Sequence, residues 1–484
     1  MIDLKDLRAQ PEKYRRGAAD KQSPVDIDRL LELDEQLRAA LTRQQQLVAE
    51  KNAIGKEIGQ VAGRLKKADD DQRAALQQRM AELRDRPQQI KDLEQDLSRQ
   101  VEQLQAQRDD LWLHVPQPAD PDVPVGRSAA DNVELRRWSP PADQPSAFDP
   151  RQPFAQQRGF TARSHVDLIA SLNLVDFDRG VKIAGSRSYV LIGDGMRLHQ
   201  AVLRYAFDLM TQTHGFTPLS ASCLVRHRTL EGTGFFPHGR EQVYDIANPT
   251  TAADSGEGLA LTGTGEVGLM AYHMDEILSP EELPKTYTTV STCFRREAGS
   301  AGKDTAGLYR IHQFDKVEQV VICEADEKTS RDWHTRMIGF VESLLQNLGL
   351  PYRLLQCCTG DLGPKNADMI DLECWMPSRA ADGLGAAETA ADAAGSGGWG
   401  ETHSASRLYD YQTRRLNLRY RDPEDPKGKK TRFCHSLNNT VAASPRLLIP
   451  ILELYQNADG SVTVPQVLRP YMNQQEKIAP PSPR

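Results

Sequence analysis

Apolar residues recur at steps of mostly three, four and seven through the first quarter of the chain, at Leu30, Leu33, Leu37, Leu41, Leu47, Ile54, Ile58, Val61 and Leu65. A second run follows at Leu76, Met80, Leu83, Ile90, Leu97, Val101, Leu104 and Leu111. That spacing draws one apolar stripe along each of two long helices, with polar residues elsewhere. The stretch between them, Lys66-Lys67-Ala68-Asp69-Asp70-Asp71, is short and polar, which predicts an antiparallel hairpin over about 28–111. Helices of roughly 38 residues would extend about 57 Å. Pro87 falls between Leu83 and Ile90 and predicts a bend or break in the second helix, because proline deletes a backbone hydrogen bond.

The pattern then changes. Val115-Pro116-Gln117-Pro118-Ala119-Asp120-Pro121 has linker composition, and beyond it glycine, proline and aromatic residues return among short strand-like and helical runs. The expected class is α+β, with an N-terminal hairpin domain over 1–115, a linker over 116–130 and a catalytic-sized domain over 131–484. Residues 380–398, rich in Ala, Gly and Asp, read as a flexible surface insertion.

Composition narrows the function. A net charge of −7 over 484 residues excludes a protein that binds nucleic acid through its overall charge, so any RNA contact must use local basic patches. One such patch is the outer half of the hairpin, where Lys51, Lys56, Arg64, Lys66, Lys67, Arg73, Arg79, Arg84 and Arg86 gather. The hairpin by itself fits either oligomerisation or RNA binding. Seven scattered cysteines without a Cys-x-x-Cys pair predict neither structural zinc nor a disulfide framework, and point to a reducing cytoplasm. The first eight residues lack the apolar core of a signal peptide, and no apolar run reaches membrane-spanning length.

The richest chemistry lies at Cys293-Phe294-Arg295-Arg296-Glu297, followed by a Gly-rich loop and then Ile311-His312-Gln313-Phe314-Asp315-Lys316-Val317-Glu318. Read as strand, loop, strand, alternation puts Arg295 with Glu297 on one face and His312, Phe314, Lys316 and Glu318 on another. Antiparallel pairing would join these faces into a pocket with a guanidinium, carboxylates and an aromatic ring. Such a pocket suits an anion, a purine and an ammonium or hydroxyl group. Farther on, Ser444 fits a helix N-cap and Pro445 a first helical turn before Leu447, Leu448, Ile451, Leu452 and Tyr455. A cation at a helix start opposes the dipole, so Arg446 makes sense facing an anion.

The words FRREAGSAGKDTAGLYRIHQFDKVEQ resemble motif 2 of class II aminoacyl-tRNA synthetases, and specifically the seryl-tRNA synthetase family. The opening MIDLKDLRAQPEKYRR, the stretch from Leu437 to Arg446 with the tail through Met472 (motif 3), Thr262-Gly263-Thr264-Gly265-Glu266 and Gly400-Glu401-Thr402-His403-Ser404 also resemble that family. The resemblance implies an antiparallel-sheet catalytic domain and activation of L-serine by ATP with Mg²⁺. It also implies transfer to tRNA-Ser, and to tRNA-Sec where present, a hairpin arm gripping the tRNA, and a cytoplasmic homodimer. For ATP it implies Arg295, Arg296, Glu297, Ile311, Phe314, Glu401, Thr402, His403, Ser404 and Arg446. Arg295 would bind the α-phosphate and the serine carboxylate, Glu297 the adenine amino group, Phe314 the purine face and Arg446 the γ-phosphate. Arg295 and Arg446 would be the catalytic pair, with Glu401 and Ser404 holding Mg²⁺. Strict alternation, however, points Glu401 and Ser404 to opposite faces unless a bulge intervenes. The serine pocket would comprise Thr264, Gly265, Glu266, Arg295, Glu318, Asn438 and Thr440, with Glu318 and Thr440 on the hydroxyl.

Three features depart from the family pattern. The motif 1 segment Gly215 to Ser222 lacks a proline near Ser222, the insertion after Arg379 is long, and THSASRLYDYQTRR after Glu401 replaces a cysteine-containing word. Two other classes make different demands on the sequence. A non-catalytic RNA-binding relative would have lost the arginines, and a carrier-protein aminoacyl ligase would lack the arm; here both arginines and the arm are present.

Overall fold

The computed structural model describes residues 1–144, 147–247, 257–299, 307–379 and 397–480. Most of the insertion at 380–398, and residues 300–306 of the Gly-rich loop, lie outside them. The chain divides into two compact units, one of Asp3–Ala18 with Ser23–Val115, the other of Met1–Ile2, Ala19–Gln22 and Pro116–Arg484.

The smaller unit carries two long antiparallel helices, α1 (Ile27–Leu65) and α2 (Asp70–His114). Asp26 caps α1 by accepting the Arg29 amide at 2.9 Å, and Asp69 caps α2 by accepting Gln72 at 3.0 Å. Leu30, Leu33, Leu37, Leu47 and Val61 of α1 and Leu83, Ile90, Val101 and Leu104 of α2 are buried. Leu41 is the exception at 39% exposed, while Ala40 beside it is buried. Pro87 does not break α2, contrary to one form of the expectation. Leu83 and Ile90, the seam residues on either side of it, are both buried, and Arg86 reaches Glu50 across the hairpin at 2.7 Å. These contacts offset one missing hydrogen bond. Lys51 and Arg79 likewise pair with Glu94 and Glu57. At the tip, exposed Arg64, Lys66 and Lys67 line a shallow hollow with Gln60 and Gln72.

The larger unit is built on one eight-stranded sheet: β1 (Val133–Trp138), β2 (Thr217–Pro218), β3 (Lys285–Phe294), β4 (Gln313–Cys323), β5 (Tyr352–Gln356), β6 (Asp368–Met376), β7 (Gly398–Tyr409) and β8 (His435–Ser444). Their order is β1-β5-β6-β7-β8-β4-β3-β2, antiparallel throughout except for the parallel edge pair β2–β3. Together with the helical unit this is the expected α+β class. Residues 116–130 are tied into the unit, with Asp120 bonded to Arg407 and to Tyr409, and Val123 buried.

Alternation along β4 sorts the two faces. Val317, Val321 and Cys323 join the main core beneath α3 (His165–Leu172), α4 (Asp194–Asp208) and α5 (Glu327–Asn347). Phe314, Lys316 and Glu318 share the opposite face with Val320 and Ile322, which pack in a second cluster with Leu269, Met270 and Tyr287. All seven cysteines are free thiols. Among the described residues no helix is long and apolar enough to cross a membrane.

Candidate active site

Two strand bulges aim the polar residues. On β7, His403 pairs with Leu372 but Glu401 pairs with Glu373, so Thr402 is an extra residue. That extra residue puts Glu401 and Ser404 opposite Glu373 and Asp371, two residues of one face of β6. The alternation conflict in the sequence is thereby removed. On β8, Thr440 pairs with Glu318 and Ala442 with Val317, leaving Val441 as the extra residue. Asn438 and Thr440 face the site, while Asn439 donates to the Met337 carbonyl of α5 on the other side.

These strands surround a cleft lined by Arg295, Glu297, Tyr309, Ile311, Phe314, Lys316, Glu401, Thr402, Thr440 and Arg446 among others. Arg295 stands just past β3, its amide bonded to the His312 carbonyl at 2.9 Å and its guanidinium 5.4 Å from the Phe314 ring centre. Glu297 is not in the strand: its φ is +52°, and its carboxylate lies 3.4 Å from Arg310 Nε. It reaches the cleft from a turn, because β3 ends at Phe294.

Ser444 does not cap a helix. It ends β8, and its Oγ bonds His199 Nδ1 at 2.8 Å; α6 (Leu448–Leu454) starts only two residues beyond Arg446. Arg446 is held instead by carbonyls, with Nη1 on Glu401 O at 3.0 Å and Nε on Tyr309 O at 3.3 Å. Its guanidinium lies 4.4 Å from the Tyr309 ring centre and 3.5 Å from Glu401 Oε2. The dipole argument therefore does not apply to it; its place in the cleft comes from the turn between β8 and α6.

Deeper in the same face lies a buried polar cluster. Lys316 Nζ donates to Thr264 Oγ1 at 2.8 Å and pairs with Glu318. Glu318 is 1% exposed, and its Oε2 has no further hydrogen-bond partner among the described residues. Burial pushes the Glu318 carboxyl up, with Lys316 pulling it back down. Glu266 Oε1 accepts from Lys365 Nζ at 2.7 Å, Gln412 Nε2 at 2.6 Å and Asn438 Nδ2 at 2.8 Å. Gly265 is needed for close approach, since a Cβ there would meet Thr289 Cγ2 at 2.5 Å. Lys316 and Lys365 are the charges missing from the sequence-based site. Lys316 carried a signal, since it shares a strand face with Phe314 and Glu318; Lys365, in a loop before β6, carried none.

Not every expected residue lines the cleft. Arg296 is exposed outside it, its amide bonded to the Gln242 carbonyl. His403 points to the helix side of the sheet, 1% exposed, with Nδ1 on Thr402 Oγ1 at 2.8 Å. Burial pulls its pKa down to about 3, so the ring is neutral. Ser404 shares the face of Glu401 and hydrogen-bonds Asp371, whose carboxyl is pushed up by burial and by the Glu401 charge. Glu401, Ser404 and Asp371 offer oxygen donors, and Asp371 Oδ1 has no hydrogen-bond partner among the described residues, although the Cys357 thiol and the Asp361 carboxylate also lie within 4.8 Å of the Asp371 carboxylate. The oxygen donors suit a hard cation such as Mg²⁺.

The arrangement is that of a class II aminoacyl-tRNA synthetase core: an antiparallel sheet whose cleft is lined by two arginines from loops, Arg295 over Phe314 and Arg446 over Tyr309. Family comparison agrees. Residues 250–455 match the tRNA synthetase class II core domain (G, H, P, S and T), and residues 1–117 match the seryl-tRNA synthetase N-terminal domain. A serine–tRNA ligase of Deinococcus radiodurans is 40% identical over 484 residues, covering 99% of this chain and all of the relative. The crystal structure of a seryl-tRNA synthetase from Pyrococcus horikoshii complexed with ATP superposes with a TM-score of 0.80 at 33% identity, covering all of both chains. A cytoplasmic serine–tRNA ligase from Naegleria fowleri in complex with AMP gives 0.77 at 29% identity, covering 97% of this chain and 95% of that one. The chain belongs to the seryl-tRNA synthetase family.

Proposed function

We propose that this chain is a serine–tRNA ligase that activates L-serine with ATP and transfers it to tRNA-Ser. The observation that carries the reading is the continuity of the cleft. Arg295, Phe314 and Arg446 surround one end, and Lys316 and Thr440 lead from it to the buried Thr264–Lys316–Glu318 cluster. A nucleotide and a small hydroxylated amino acid fit end to end along that line.

In the first step a serine carboxylate oxygen bonds to the ATP α-phosphorus as the bond to the bridging oxygen breaks, releasing pyrophosphate. Arg295 faces the α-phosphate and Arg446 the outer phosphates, so both guanidiniums stabilise charge that shifts toward the leaving group. Phe314 supports the purine and Glu297 its amino group. Glu401 and Ser404 would hold Mg²⁺, which supplies further charge neutralisation on the phosphates. In the second step the terminal ribose hydroxyl of the tRNA attacks the acyl carbon, its proton leaves, and AMP departs. Neither step requires a side-chain nucleophile.

Glu318 is proposed for the serine hydroxyl, because it is buried and its Oε2, besides its ion pair with Lys316, makes no hydrogen bond among the described residues. The hairpin of α1 and α2 is assigned to the tRNA, supported by the exposed Arg64, Lys66 and Lys67 at its tip. A homodimer is proposed from membership of the family alone. The proposed location is the cytoplasm. The test is ATP–pyrophosphate exchange across the amino acids, followed by charging of tRNA-Ser and, separately, tRNA-Sec. Exchange driven by serine alone, with charging of tRNA-Ser, is expected; exchange driven by a different amino acid overturns the reading.

A further inference from the structure

Beneath the phosphate end of the cleft lies a fully buried carboxylate that the proposed reaction does not use. Glu453 of α6 is 0% exposed. Its Oε1 accepts the His165 backbone amide at 2.9 Å and faces His165 Nδ1 at 2.9 Å. Oε2 accepts the Ser378 amide at 2.9 Å, and the Ser378 hydroxyl donates to Oε1. Four donors from two segments distant in sequence therefore converge on one side chain. A buried carboxylate with all its partners supplied is a rigid joint, and removing its charge leaves donors without acceptors.

The joint extends toward the cleft on both sides. The Leu308 amide meets His165 Nε2 at 3.4 Å, which makes Nε2 the acceptor and Nδ1 the proton-bearing nitrogen directed at Glu453. Gly307, at φ +78°, passes so close that a Cβ there would lie 2.2 Å from His165 Nε2. Tyr309, directly after Leu308, has two guanidiniums near its ring, with Arg446 at 4.4 Å from the ring centre and Arg379 at 4.1 Å. Its carbonyl accepts from Arg446, and its hydroxyl donates to the Glu401 carbonyl at 3.3 Å. Arg379 follows Ser378 directly and is fixed by Nε on the Trp399 carbonyl at 3.1 Å. The hub thus grips the residues immediately before Tyr309 and before Arg379, and it sits on the helix that follows Arg446.

We infer that His165 and Glu453 are positioning residues for ATP: they fix Tyr309 between Arg379 and Arg446, and through Tyr309 they set the direction of the Arg446 guanidinium. The inference rests on the assignment of this cleft to ATP. It predicts a loss specific to the nucleotide, because among the described residues the Thr264–Lys316–Glu318 cluster makes no hydrogen bond or ion pair to the hub.

The test measures pyrophosphate exchange for wild type, Glu453→Gln, Tyr309→Leu and the double variant, with Leu345→Ala in the main core as a control for lost stability. Glu453→Gln should raise KM for ATP about tenfold, the size of one lost net hydrogen bond, with KM for serine unchanged. If Glu453 acts through Tyr309, the double variant should match Tyr309→Leu alone. Leu345→Ala should lower the melting temperature without moving either KM. Should Glu453→Gln not fold, Ser378→Ala removes only the hydroxyl donor and should raise KM for ATP by a smaller factor. An unchanged KM for ATP in the folded hub variant, or additive effects in the double variant, overturns the inference while leaving the wild-type activity to stand. Absence of serine-dependent exchange in the wild type is a different result and removes the ATP assignment itself.

Discussion

Replacing Glu318 separates two roles that one carboxylate holds together. Glu318 is 1% exposed and pairs with Lys316, whose side chain is only 6% exposed and otherwise reaches Thr264 Oγ1 at 2.8 Å. Alanine at 318 leaves that ammonium buried without its counter-charge, which should cost about 3–5 kcal/mol of folding stability. The same change removes the acceptor proposed for the serine hydroxyl. A charged hydrogen bond contributes about 1.5–3 kcal/mol, which is roughly a 10- to 150-fold loss in serine affinity. Alanine as substrate makes no such bond, so preference for serine over alanine should collapse. The two effects come apart in Glu318→Ala/Lys316→Met, which deletes both charges. Part of the lost stability should return because no buried charge is left unpaired, while the volume lost on going from Glu to Ala keeps the recovery incomplete. Discrimination should stay lost. The assay is urea unfolding of each variant, with exchange kinetics for serine, alanine and threonine. Proportionate losses for serine and alanine would move Glu318 to the ammonium group that both share. No loss for either would refute its place in the pocket.

Arg446→Ala should reduce serine-dependent exchange by about 2–4 kcal/mol of transition-state stabilisation with little effect on the melting temperature, and unchanged exchange kinetics would refute its phosphate role. Deleting 28–111 with a short splice should leave exchange largely intact and abolish charging of tRNA-Ser; a folded deletion that has lost exchange contradicts two separable modules. His403 gives a pH dependence whose sign follows from its burial. Its folded pKa of about 3 lies below the ordinary 6.5, so the unfolded chain binds the proton first. Its destabilising effect is absent above pH 6.5 and grows as pH falls toward 3, reaching about 2.7 kcal/mol at pH 4.5 at roughly 1.36 kcal/mol per unit. Denaturant unfolding of wild type and His403→Asn at pH 7 and 4.5 checks it: the variant should lose less stability between the two, and equal losses would contradict the assignment.

The hairpin was legible because its information is local. An apolar residue every third or fourth position, a short polar break and Asp69 ready to cap the second helix specify two helices and their reversal without reference to the rest of the chain. The motif residues were legible for the same reason: Phe314, Lys316 and Glu318 share a face in any regular strand. Pairing between distant strands was not. The extra residue at Thr402 that brings Glu401 and Ser404 to one face exists only relative to the neighbouring β6, and the one at Val441 only relative to β4. A bulge is a mismatch of register between two strands, so neither strand's sequence contains it. Ser444 and Pro445 carry a helix-start signal, yet β8 continues through Ser444 because its hydroxyl is taken by His199, more than two hundred residues earlier. Pro87 should interrupt a helix by its own chemistry, but packing of Leu83 and Ile90 against α1 outweighs one hydrogen bond. Propensity and alternation therefore determined the elements and which residues could act. The Thr264 partner of Lys316 and the partners of Lys365, His165 and Glu453, and with them the electrostatics of the site, were decided by contacts between segments far apart in the chain.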